Sequence, residues 1–255
     1  MGKFDGYLIC SDMDGTFAHG DVGNDNIDAV KYYIREGGRF TFATGRTANH
    51  LKEKGLLPII NTPACLFNGS VVYDYATEQV LRERRLAFSV ETFFDVIREL
   101  LPNIKAFNVF CDVTDDSVAF TSPEELSTSL LAAHPLKMLC RFEDPDTATA
   151  FQQKVTELPF FKTAFIGKSW PVGVEFNPID GTKGQALQFI KAHLGSIHTA
   201  VGIGDYENDL PLLQGADLAV ATANAIPAVQ QAAHMVVRHY KEFAIKDLIE
   251  RLEKQ

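Results

Sequence analysis

The sequence predicts an α/β fold, with a doubly wound parallel sheet as its core and an α+β unit inserted into it. Three observations predict this. Short apolar runs alternate with helical patterns over about the first 75 residues and again from about residue 180. Several of these runs stop abruptly at polar, chemically capable residues. From about 78 to 178 strand and helix patterns continue, but no strand end carries a comparable acidic cluster. The expected division is therefore a core of residues 1–78 and 179–255, and an inserted unit of 79–178. A chain of 255 residues with 46% hydrophobic content can bury cores of that size.

Tyr7-Leu8-Ile9 reads as the first buried strand. Residues 25–37 carry Ile27, Val30, Tyr33 and Ile34 on one helical face, closed by Gly37-Gly38. Arg39–Ala43 is a second apolar strand, and residues 47–55 read as a shorter helix. Ala64-Cys65-Leu66-Phe67 is a strand that stops at Asn68-Gly69, a pair that favours a tight hairpin turn before Ser70–Tyr73. In the insert, helices are expected at 89–101, 123–133 and 145–157. Strands are expected near 79–87, 105–111, 117–121, 137–142, 160–167 and 172–176. The alternation then resumes with helices at 183–194, 207–214, 225–233 and 241–252, and strands at 199–204, 217–221 and 235–238.

The chemistry gathers at the ends of these elements. Asp12 and Asp14 stand one residue apart where the first strand gives way to a loop, which is where ligands bind in parallel α/β sheets. Two carboxylates that close repel unless a cation lies between them, so the pair suits a hard cation such as Mg²⁺ and oxyanion chemistry. Taken alone, Asp-Met-Asp-Gly favours a solvated acidic turn, because such turns are common. Other strand ends and a helix start alter that balance. Thr44-Gly45-Arg46 follows the second strand, offering a hydroxyl and a close backbone approach for a phosphate. Lys183 opens a helix after Asp180-Gly181-Thr182. Ala200–Gly204 delivers Asp205-Tyr206-Glu207-Asn208-Asp209 to a similar turn.

Acid pair, hydroxyl, lysine and acid cluster, in that order, resemble the four motifs of the haloacid dehalogenase superfamily of phosphotransferases. Ala43-Thr44-Gly45-Arg46, Asn68-Gly69, Asn208-Asp209 with Leu210-Pro211-Leu212-Leu213, and Ala223-Asn224-Ala225 resemble its Cof-like branch. The likeness covers most of the chain outside the insert. It implies a Rossmann-like core, a large α+β cap, and a Mg²⁺-dependent phosphatase acting on small phosphomonoesters, with sugar phosphates first. By the same likeness, Asp12 is the nucleophile, Asp14 the general acid and base, and Thr44 and Lys183 the phosphoryl-binding groups. Mg²⁺ falls to Asp12, the Asp14 carbonyl and Asp205.

Other assignments stay open. Asp209 is either a support for Lys183 or a metal-bound water, a direct ligand, or a helix-start acid. Asn208 either donates to phosphate or caps a helix start. Gly45 offers its N–H to phosphate. Arg46 meets the substrate or pairs with an acid. Asn68 orients Asp14 or a neighbouring loop, or is a plain turn residue. Tyr206 stands where the family often has glycine, and is expected to narrow the pocket or touch the cap. The stretch 239–244 lacks the family's common glycine. Within enzymes the alternative is a phosphomutase-like or disaccharide-phosphate phosphatase relative. Outside them it is a receiver-like phosphoacceptor, which would lack an acid at position 14 and need only about half this length.

Composition excludes several partners. The net charge is −9 with no basic run, which argues against a nucleic-acid binder. No apolar stretch approaches the roughly 20 residues that span a bilayer. No long apolar core marks a signal peptide at the N-terminus. Cys10, Cys65, Cys111 and Cys140 lack metal or redox spacing and read as reduced thiols, consistent with a cytoplasmic protein. His19 is close to the first motif, with no role that the chemistry requires. Oligomeric state is not legible.

Overall fold

The computed structural model describes residues 2–18, 24–114 and 117–254, so His19 lies outside the described residues. The chain runs through β1 (Tyr7–Ser11), α1 (Asn24–Arg35), β2 (Arg39–Phe42), α2 (Ala48–Glu53), β3 (Ala64–Leu66), β4 (Val71–Asp74) and β5 (Gln79–Glu83). It continues through α3 (Val90–Val96), β6 (Ala106–Phe110), β7 (Val118–Phe120), α4 (Thr128–Leu131), β8 (Lys137–Arg141), α5 (Pro145–Glu157), β9 (Ala164–Trp170) and β10 (Gly173–Pro178). It closes with α6 (Lys183–Leu194), β11 (Thr199–Gly204), α7 (Leu210–Gly215), β12 (Leu218–Thr222), α8 (Pro227–Ala232), β13 (Met235–Val237) and α9 (Ala244–Leu252).

The first sheet is fully parallel, in the order β13-β12-β11-β1-β2. β1 lies inside it between β2 and β11, so its C-terminal end opens beside theirs. Alternation on β1 explains why both faces are covered. Ile9 joins a cluster with Val30, Phe40, Phe42 and Leu248, under α1 and α9. Leu8 and Cys10 join Ala186, Leu187, Ile190 and Leu212, under α6 and α7. This is the doubly wound core expected.

A parallel bridge between Ala43 and Cys65 carries the sheet on to β3, and β3-β4-β5 then pair antiparallel. β5 therefore hydrogen-bonds to the core side of the chain. The inserted sheet is a separate antiparallel one, in the order β7-β6-β8-β10-β9. Its core is aromatic: Phe93, Phe94, Phe107, Phe151, Phe161 and Phe176 pack together, with Phe93 and Phe176 edge to face at 4.9 Å.

Several elements are shorter than their sequence patterns, for local reasons. The 89–101 pattern starts with Ser89 accepting from the Thr92 N–H, but Pro102 brings a tighter 3₁₀ segment over Arg98–Asn103. The 123–133 pattern is cut in two by successive serine caps, Ser122 and Ser127. The strand expected from 160 begins at Ala164, because Pro159 opens a 3₁₀ turn that drives Phe161 into the aromatic core. The last helix starts at Ala244. Phe243 before it takes a left-handed conformation, φ 61°, in the stretch that lacks the family's glycine.

The Asn68-Gly69 turn is built from consecutive left-handed residues, Phe67, Asn68 and Gly69 (φ 50°, 59° and 112°). A Cβ on Gly69 would lie 2.2 Å from the Thr182 carbonyl. Only glycine lets this turn press against the start of α6. That start is set by a capping box between Thr182 and Gln185, and it places Lys183 beneath the end of β1.

Candidate active site

The ends of β1, β2 and β11, the Asn68 turn and the start of α6 converge. Lys183 is fully buried and donates to Asp12 Oδ1 and to Asp209 Oδ1, each at 2.6 Å. The other oxygen of Asp209 accepts the backbone N–H groups of Asp205 and Tyr206, at 2.9 and 3.1 Å. Asp205 Oδ1 accepts from the Thr16 hydroxyl at 2.8 Å. Arg46 Nε donates to Asp14 Oδ2 at 2.9 Å, and Thr44 Oγ1 accepts the Arg46 N–H at 3.2 Å. Asp12 and Asp14 thus have different partners: one a buried ammonium, the other a guanidinium at the cavity wall.

Carboxylate oxygens of Asp12, Asp205 and Asp209 all lie within 4.8 Å of one another. With Asp14, four carboxylates face only two cations, Lys183 and Arg46. The surplus shows in the titration. Burial, then Asp209, pushes the Asp205 carboxyl up to about 7. Burial and Asp209 also raise Asp12, against the pull of Lys183. Burial works to lower the Lys183 ammonium, but Asp12 and Asp209 outweigh it and hold its proton firmly. The donor set fits a divalent hard cation. Asp12 and Asp205 have capacity to spare for it. Asp209 is already occupied by Lys183 and two backbone N–H groups, so it stands behind the cluster.

Asn68 does not bond to Asp14. Its Nδ2 donates to Glu175 Oε2 and Asn177 Oδ1, at 2.8 and 3.1 Å, and its Oδ1 accepts from Asn208 at 3.2 Å. Asn208 is thereby tied to the inserted sheet. Arg46 is the residue that contacts Asp14.

A cavity of about 660 Å³ opens over this cluster. Its floor includes Asp12, Asp14, Gly45, Arg46, Asp205 and Asn208, and Tyr206 lines it too. Thr44 and Lys183 lie buried just behind that floor. Its roof is the inserted sheet, including Lys137, Arg141, Trp170 and Glu175. None of these four was anticipated in the site. Lys137 and Glu175 form a buried ion pair at 2.9 Å, and Lys137 also donates to the Gly45 carbonyl at 2.8 Å. The sequence held a signal for them: single charges at Lys137 and Glu175 interrupt apolar strands, and a buried charge needs a partner.

Burial alone would raise the Glu175 carboxyl, but Lys137 outweighs it and holds Glu175 below the usual range. The stability this gives is present above the ordinary glutamate pKa and is lost as pH falls through the lowered value. Lys137→Met strands the Glu175 charge and should cost about 3–5 kcal/mol, lowering Tm by roughly 6–20 °C. Lys137→Met with Glu175→Leu should recover most of that loss. A thermal melt reads both, and a single variant as stable as the parent would refute the pairing.

Comparisons with known proteins bear on the family and the fold. YxeH of Bacillus subtilis (strain 168), named as a candidate phosphatase, is 27% identical over 269 residues, covering 96% of this chain and 97% of its own. The 5-amino-6-(5-phospho-D-ribitylamino)uracil phosphatase YcsE of the same organism is 25% identical, covering 90% and 88%. The structure of the subclass IIB sugar phosphatase BT4131 superposes with a TM-score of 0.76 at 18% identity, covering 96% and 98%. A family model for haloacid dehalogenase-like hydrolases matches residues 9–249, and with the fold and the four motif positions in hand, the chain belongs to that family of enzymes.

Proposed function

We propose that the protein is a Mg²⁺-dependent phosphatase that hydrolyses small phosphomonoesters, sugar phosphates first, through an aspartyl-phosphate. The observation that carries this is the acid pair at the end of β1. Asp12 and Asp14 line one cavity, yet Lys183 holds the first and Arg46 the second. Differently held carboxylates can take different roles. The names of YxeH, YcsE and BT4131 point the same way.

In this reading, Asp14 enters the cycle protonated, Asp12 attacks phosphorus, and the ester oxygen leaves with the Asp14 proton. Asp14, now a carboxylate oriented by Arg46, takes a proton from water. That water attacks the acyl phosphate, breaking its P–O bond, and Asp12 returns as a carboxylate. The Thr44 hydroxyl, whose oxygen already accepts from Arg46, keeps its own hydrogen for a phosphoryl oxygen. Gly45 N–H and the second Asn208 N–H supply further donors. Asp12, Asp205 and the Asp14 carbonyl would hold Mg²⁺, which would supply charge neutralisation for the transferring group.

The inserted unit acts as the cap. Because β5 pairs with β4, we place the first crossing after Glu83 rather than at 79, and the second at 177–181. Among the described residues no helix is long and apolar enough to cross a membrane. A screen of phosphorylated metabolites, read as phosphate release with and without chelator, tests the activity. Release that depends on Mg²⁺ supports it, and no release from any phosphomonoester refutes it.

Metal binding has a second readout. Asp205 has its folded pKa raised to about 7 without metal, above an unfolded value near 3.9. The stability tied to its proton is fully present below about pH 4 and is lost as pH rises through 7. A ligand carboxylate must be ionised, so Mg²⁺ should raise Tm more at pH 8 than at pH 5. Equal shifts at both values would remove Asp205 from the metal site.

A further inference from the structure

Resting on the phosphatase reading, we propose a substrate class: phosphomonoesters whose leaving group carries a second anionic group, held on the cavity roof by Arg141 beside Trp170. Strand alternation sets up this roof. Met138 and Cys140 of β8 point into the aromatic core, while Lys137, Leu139 and Arg141 line the cavity.

The charges on the wall decide what the roof can bind. Arg46 is engaged by Asp14, and Lys137 by Glu175 and the Gly45 carbonyl. Burial, then Arg46, pushes the His50 imidazole below its usual range, which favours its neutral form. Arg141 is exposed, and among the described residues its guanidinium has no ion pair and no hydrogen bond. It presents a free fork of donors, the geometry that suits a carboxylate or phosphate. On the floor, the metal cluster and phosphoryl donors meet the first anion. Arg141 is left for another.

The surroundings supply shape. Across the sheet, Arg141 is opposite Gly173 and Gly173 is opposite Trp170. The indole covers that glycine so closely that a Cβ there would lie 2.4 Å from Cζ2. Residue 173 must be glycine for the ring to sit beside the guanidinium. A third group lies nearby. Asn108 is buried on the same face, opposite Leu139, and donates to the cavity-lining Ser117 hydroxyl at 2.9 Å. Its Oδ1 has no partner among the described residues, but it is itself covered, so it stands behind the wall and does not line the cavity. Arg141, the Trp170 ring and the Ser117 hydroxyl on the wall together fit an anionic, hydroxylated leaving group.

The test uses matched substrates: 6-phosphogluconate against glucose 6-phosphate, and fructose 1,6-bisphosphate against fructose 6-phosphate. p-Nitrophenyl phosphate reports the phosphatase reading separately. In the parent protein kcat/KM should favour the doubly anionic member of a pair by 10-fold or more. Arg141→Gln should collapse that ratio, mainly through KM, and Arg141→Lys should keep part of it. Hydrolysis of p-nitrophenyl phosphate without preference within either pair overturns this inference alone. So does an Arg141→Gln variant that slows both members equally. No hydrolysis of any substrate overturns the phosphatase reading and this one with it.

Discussion

Asp12→Asn should reduce phosphate release by on the order of 10⁴-fold or more while the protein stays folded. An amide cannot attack phosphorus, and the neighbouring carboxylates are engaged elsewhere, Asp14 by Arg46 and Asp205 by Thr16. The charge count explains why the fold survives. Asp12 shares Lys183 with Asp209, at 2.6 Å each. Removing one carboxylate leaves Lys183 and Asp209 as a neutral pair and takes away the repulsion between Asp12 and its neighbours Asp209 and Asp205. In chelator, the variant should therefore melt at or above the temperature of the parent, a gain in stability at the cost of function. Phosphate release and thermal melting on the same samples check both halves. Turnover near that of the parent would remove Asp12 as nucleophile. A collapsed melt would mean that Lys183 needs both acids.

The parts of the site that could be read in the sequence are those where one local segment carries both structure and chemistry. Asp12 and Asp14 were legible because an apolar strand stops at them. Lys183 was legible because Gly181-Thr182 prepare a helix start. The roof was not, because its meaning depends on which distant strands pair. Glu175 meets Lys137 across 38 positions, and Asn68 meets Asn177 across 109. A lone charge in a strand signals that a partner exists without naming it. Where the insert begins is hard to read from the sequence for a similar reason. Gln79–Glu83 has the pattern of a strand, but only the ladder to Val71–Asp74 shows which sheet it joins. Phe243 marks a different limit. The turn before α9 keeps its left-handed residue without a glycine, with the Phe243 N–H donating to the Tyr240 carbonyl and its own carbonyl accepting from the Asp247 N–H.

Lys183→Met should lower both stability and turnover. It leaves Asp12 and Asp209 deeply buried with no cation between them, their side chains 9% and 1% exposed. Stranding buried charge in this way costs about 3–5 kcal/mol, or roughly 6–20 °C in Tm for a chain of this size. Turnover should fall by on the order of 10³-fold or more, since the ammonium both fixes Asp12 and offsets charge at the reacting group. Adding Asp209→Asn to Lys183→Met separates the two effects. An asparagine oxygen can still accept the N–H groups of Asp205 and Tyr206, now held by Asp209 Oδ2, so the turn is kept while one stranded charge is removed. The double variant should regain much of the lost stability and none of the lost turnover, because Asp12 still lacks the cation that holds it. Thermal melts and phosphate release on the parent, the two single variants and the double complete the cycle. Restored turnover in the double variant would show that Lys183 serves only to neutralise Asp209, and that its contact with Asp12 is incidental.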